Sequence, residues 1–101
     1  MSLLLPKQPA EKIDAALDFA GRLELGETLS AVSSFGAIDL ADGSDTTTSI
    51  FAAPNPAVSG TQIVFWVQAG TDGHRYKLTF RASTSRGQTL EGDVVLVVRE
   101  R

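Results

Sequence analysis

From Arg75 onward the chain alternates. Tyr76, Leu78, Phe80 and Ala82 fall on one side, and Arg75, Lys77, Thr79 and Arg81 on the other. A period of two is the spacing of a strand with one buried and one wet face. Ser85-Arg86-Gly87-Gln88 follows, with a glycine free to take the positive φ of a tight turn. In the next segment, Thr89 to Arg99, Leu90, Val94, Leu96 and Val98 share a face with Gly92, and Asp93, Val95, Val97 and Arg99 share the other. The two segments predict an antiparallel hairpin.

Upstream, TQIVFWVQAG (61–70) places Ile63, Phe65 and Val67 on one face and Val64 and Trp66 on the opposite one. Its β-branched and aromatic residues between Gly60 and Gly70 predict a strand. GETLSAVSSFGAI (26–38) alternates at Leu29, Ala31 and Ser33, or at Thr28, Ser30 and Val32, and predicts another. DGSDTTTSIFAAPNPAVSG (42–60) begins and ends as loop, with a short strand expected around Thr47 to Ala52. Pro54 and Pro56 exclude regular central-strand pairing where they stand. AEKIDAALDFAGRLEL (10–25) supports two readings. Ile13, Ala16, Leu17 and Ala20 have helical spacing and Gly21 suits a helix end, which favours a helix by periodicity; Asp18 to Leu23 also fits an edge strand. Short strands separated by turn signals predict an all-β sandwich or barrel. The division expected is an N-terminal arm over residues 1–12 and one domain over 13–101.

Size and charge narrow this reading. A chain of 101 residues, 43% hydrophobic, can bury a core without staples. A net charge of -3 with no concentrated basic stretch argues against nucleic-acid binding. With no cysteine, disulfides, thiol nucleophiles and thiolate zinc sites are excluded. Leu3, Leu4 and Leu5 form an apolar run ended by Pro6, too short for a signal peptide, and no run reaches the roughly 20 residues of a membrane span. Synthesis in a cytoplasm, with no membrane association, is the expectation.

Candidate chemistry is sparse. The only histidine, His74, lies in GTDGHRY (70–76). A catalytic histidine needs a nucleophile and an orienting group, and a metal needs further ligands; the sequence suggests neither set. The bland expectation is a solvent-exposed turn histidine. Asp39-Leu40-Ala41-Asp42-Gly43-Ser44-Asp45 superficially resembles a calcium loop but lacks the residue order and closing glutamate of an EF-hand. A solvated loop whose aspartates bond their own backbone is expected instead. No phosphate-binding glycine motif and no nucleophile elbow occurs. No metal, no cofactor and no small-molecule substrate is expected.

The spacing Asp72, His74, Tyr76, Leu78 after a strand and a tight connection is similar to the tyrosine corner of immunoglobulin-like sandwiches. There a tyrosine hydroxyl bonds back to the backbone where the chain passes between sheets. Asp72, Tyr76 and Leu78 are thus the expected structural corner. Val64, Trp66, Val95 and Val97 are apolar residues opposite the predicted core face. They form a protein–protein interface or lie under the arm from Leu3 to Ile13; both readings stand.

In order, the chain runs LDFAGRL, GETLSAV, a Ser/Thr-rich loop and IVFWVQAGTDGHRYKLTFRASTSRGQTLEGDVVLVVRE. This resembles a family of small phage and prophage virion proteins of fibre–tail adaptor or neck-region type, with a bacterial Ig-like fold. Phe65-Trp66, Ala69-Gly70-Thr71, Gly73, Tyr76 and the Arg86-Gly87 turn carry the resemblance, which covers residues 11–100. The chain departs from the family pattern at Phe19, where tryptophan is frequent, at Ala69, where a glycine precedes Gly70, and in its Arg-Gly rather than Gly-Arg turn. The resemblance implies an Ig-like antiparallel β-sandwich of about seven strands, with LDFAGRL as its first strand rather than a helix. It implies a non-enzymatic structural component of a phage or prophage particle in the head–tail or tail adaptor region. Its partners would be other virion proteins or further copies of itself, and its place the virion. The alternative is an Ig-like carbohydrate- or protein-binding module of a bacterial surface protein.

Overall fold

The computed structural model describes residues 2–100, with the backbone alone for residues 2 and 3. Met1 and Arg101, the outer ends of the expected arm and domain, lie outside them. Among the described residues the alternating segments form seven strands: β1 (Ser2–Lys7), β2 (Ile13–Asp18), β3 (Leu29–Asp39), β4 (Phe51–Ser59), β5 (Gln62–Val67), β6 (Arg75–Thr84) and β7 (Thr89–Val98). They build two sheets, one in the order β1-β7-β6-β3 and the other β2-β5-β4. All pairs are antiparallel except β1, which runs parallel to β7. Strands β2, β5 and β4 facing β7, β6 and β3 is the immunoglobulin-like arrangement. The fold is the all-β, Ig-like sandwich that the sequence pointed to.

Period-two burial makes the core. Ile63, Phe65 and Val67 of β5 meet Leu78, Phe80, Val94, Leu96 and Val98 of the opposite sheet, all fully buried. Phe51 contacts Phe65 and Phe80 edge-on, with ring centroids 6.3 and 5.7 Å apart. Gly92 leaves the space that Phe19 and Leu17 fill: a Cβ there would lie 2.9 Å from both side chains.

Three expectations change. The helix favoured by periodicity over 10–25 is strand β2 followed by one 3-10 turn, Ala20–Arg22. Ile13, Ala15 and Leu17 also sit at period two, and pairing with Val67, Phe65 and Ile63 buries them against a core that an isolated helix lacks. The strand expected at Thr47 begins only at Phe51; Thr47–Ile50 is a single helical turn, α1. The Thr47 amide and hydroxyl both bond Asp45 Oδ1, and the Ser49 and Ile50 amides bond the Thr46 carbonyl, which curls the backbone. Residues 2–7, within the expected arm, form a strand beside β7 and extend its sheet rather than lying across a face. Pro54 and Pro56 fall where β4, an edge strand, loses register between Ala52 and Ala57, as a missing amide donor requires.

Candidate functional site

The connection from β5 to β6 passes from the three-stranded to the four-stranded sheet. Ala69 and Gly70 turn the chain with φ of 56° and 96°. Gly70 is required twice: by that φ, and because a Cβ would lie 2.7 Å from Val98 Cγ2. Tyr76, buried, brings its hydroxyl back to accept the Thr71 amide at 2.8 Å. Leu78 is buried two residues on. Asp72 bonds elsewhere: its Oδ1 accepts the Glu100 amide at 2.8 Å, tying the corner to the segment after β7. The Gly73 amide donates to the Val98 carbonyl at 2.9 Å, and the Val98 amide to the His74 carbonyl at 3.1 Å.

His74 differs from the exposed turn histidine expected. It is half-buried, and its Nδ1 lies 2.8 Å from Oδ2 of the buried Asp39 at the end of β3. In this bond the nitrogen donates, since a carboxylate oxygen accepts. The sequence separates the pair by 35 residues, and no local signal joins them. The other aspartates of the loop turn inward on their own backbone. Asp42 Oδ1 accepts the Ser44 hydroxyl and amide, and Asp45 Oδ1 the Thr47 hydroxyl and amide. These bonds, the hydroxyl of Ser44 or Thr47 first, hold both carboxyls below the usual range. Among the described residues no group of three or more His, Asp or Glu could hold a metal ion.

The four residues of the candidate interface divide between two surfaces. Register places Val64 and Trp66 on the outer face of the three-stranded sheet, with Asp14 and Ala16 of β2 on one side and Ala52 and Ala57 of β4 on the other. Trp66 is half-buried, flanked by small side chains, and Lys12 Nζ stands 5.5 Å from its ring centroid. That distance is a cation–π contact. Val95 and Val97 lie on the outer face of the four-stranded sheet, beside Leu4 and Pro6 of β1. A shallow groove of about 440 Å³ there is lined by Leu4, Pro6, Lys7, Arg75, Val97 and Arg99. Lys7 donates to the carbonyls of Gln8 at 2.6 Å and Pro9 at 3.2 Å, and its burial lowers its pKa. Lys12 and the alanines around Trp66 were not among the candidates. Their signal was the second alternation in Ile13, Ala15 and Leu17, which turns Asp14 and Ala16 outward.

Residues 7–97 match the family described as podophage GP4 fiber-tail adaptor protein gp77. The chain belongs to this family. Membership gives a phage tail adaptor family with a structural role. No curated protein matches the chain. Among the described residues no helix of this family member is long and apolar enough to cross a membrane.

Proposed function

We propose that this chain is a non-enzymatic structural component of the phage particle, joining neighbouring virion proteins of the fibre–tail region. The observation that carries the reading is the outer face of the three-stranded sheet. Trp66 and Val64 lie there among alanines, within a chain of the fibre–tail adaptor family. A half-buried tryptophan bordered by alanines and by Asp14 is the kind of anchor expected of an interface. Many copies held in one symmetric particle act together, so a modest contact at each copy suffices. The lone imidazole is engaged with Asp39 inside the corner, which fits an architectural role for GTDGHRY.

The test is Trp66→Ala, read in two ways. The purified variant is expected to keep the β-sheet circular dichroism and the solution mass of the parent chain. Its incorporation into virions, measured by mass spectrometry of purified particles, is expected to collapse. A variant that incorporates normally removes the Trp66 face from the interface, and one that simply unfolds assigns Trp66 to stability instead.

A further inference from the structure

The sandwich has four sheet edges: β1 and β3 in one sheet, β2 and β4 in the other. Unpaired edges invite strand addition, and folded chains blunt them with proline or irregularity, which bar any strand, or with charged side chains, which bar like-charged ones. Three of the four are blunted by proline or irregularity. β1 carries Pro6, β3 shifts register twice along its length, and β4 carries Pro54 and Pro56 with a broken ladder. Among the edges of the described residues, only β2 is regular from end to end and free of proline. Its vacancy follows from the topology. In immunoglobulin-like sandwiches a first strand pairs beside the second in its sheet. Here β1 pairs along its whole length with β7 in the other sheet, and among the described residues no strand pairs on the outer side of β2.

The polarity of the open edge follows from the register. The Phe19 amide donates to the Thr61 carbonyl at 2.9 Å, which continues the β2–β5 ladder and fixes its parity. Antiparallel pairs alternate between bonded and non-bonded residues. Ile13, Ala15 and Leu17 therefore bond β5, and the amides and carbonyls of Asp14, Ala16 and Asp18 point away from it. The same three side chains lie on the Trp66 face.

We propose that the β2 edge takes an extended strand of another virion protein, hydrogen-bonded to Asp14, Ala16 and Asp18, with basic side chains opposite the two aspartates. The charge pattern selects the occupant. A second copy pairing β2 to β2 about Ala16 sets Asp14 against Asp18 twice, and like charges directly opposite each other destabilise a pair. A strand with Lys or Arg at those positions reverses the sign. Main-chain bonds would supply affinity and the charges register, as in other strand-addition complexes.

This inference rests on the virion-component reading, and the experiment separates the two. Hydrogen exchange is measured over the peptide spanning Ile13 to Phe19, in the free chain and in purified virions. The expected result is fast exchange of the Asp14, Ala16 and Asp18 amides in the free chain and slowing by about tenfold or more in the particle. A particle that contains the chain while these amides exchange at the free rate overturns strand addition and leaves the structural role standing. A particle without the chain overturns both. Protection that appears in the purified chain as its concentration rises assigns the edge to a second copy and also overturns the proposal. Ala16→Pro is the matching variant: it removes an outward donor and spares the bonds to β5, so the sandwich is expected to persist. Its incorporation into particles should fall by about tenfold or more; normal incorporation of the folded variant overturns the proposal.

Discussion

The corner between β5 and β6 and the β2 edge beside Trp66 use their polar groups in opposite ways. At the corner, the Thr71 amide finds the Tyr76 hydroxyl, His74 finds Asp39, and Asp72 finds the amide of Glu100. Along β2, three residues turn their amides and carbonyls outward, next to a half-buried indole. Thr71, Asp72 and Gly73 are exposed at the turn, but two of the partners there, Tyr76 and Asp39, are buried, so these bonds fasten the sheet-changing chain to the core. An edge strand faces solvent, and its unmade bonds cost little until a neighbour arrives. Substitutions at the corner should therefore register as stability, and substitutions on the β2 side as assembly.

The sharpest test of this division lies in two adjacent residues. Phe65 faces the core and Val64 the outer face. Phe65→Ala should destabilise the chain by about 3–5 kcal/mol, read from the denaturant midpoint. Val64→Ala should cost about 1 kcal/mol or less, since only part of a small side chain leaves contact. Equal losses would mean that the outer face is as covered as the core, and the comparison would collapse.

Tyr76→Phe comes next. It keeps the buried ring and deletes the acceptor of the Thr71 amide, so a loss of about 1–2 kcal/mol is expected in the same measurement. No change in particle incorporation should accompany it beyond what the lost stability explains. Ala69→Gly tests the corner in the other direction. Ala69 holds a left-handed φ of 56° where the resembling family pattern carries glycine. Relief of that conformation should raise stability by up to about 1 kcal/mol, net of the extra freedom of glycine in the unfolded chain. A loss on this substitution would show that the alanine methyl packs to advantage.

The smallest effect is spread over both regions. Asp42 and Asp45 near the corner are held below the usual carboxyl range by Ser44 and Thr47. Asp18 at the end of β2 is held there by the Ala20 amide first and then by the Thr61 hydroxyl. A depressed folded-state pKa gives stability that is present above the ordinary carboxyl value and lost as pH falls through the folded value. Thermal midpoints should hold steady above about pH 4–5 and decline below it. The Asp42→Asn, Asp45→Asn double variant should show a shallower decline. A profile identical to that of the parent chain would remove these loop bonds from the account.

Much of the architecture could be read from local pattern. Strands β5, β6 and β7 rest on period-two alternation, and their turns on Gly60 and Gly87. The corner rests on a tyrosine five residues beyond the amide that it accepts. Each of these signals spans a few neighbouring residues, so sequence alone determined them, along with the absence of cysteine chemistry. Other features needed distant partners. Ile13 and Leu17 fit both a helical and an extended period, and the register against Phe65, with the space left by Gly92, decided for the strand. Val64 with Trp66 and Val95 with Val97 alternate alike in one dimension; folding into two sheets set them on opposite faces. The β2 edge is open because β1 joined β7, a pairing across some 90 residues that no local pattern encodes. Periodicity states which side of a strand is apolar, and only burial between strands far apart in sequence states what that side meets.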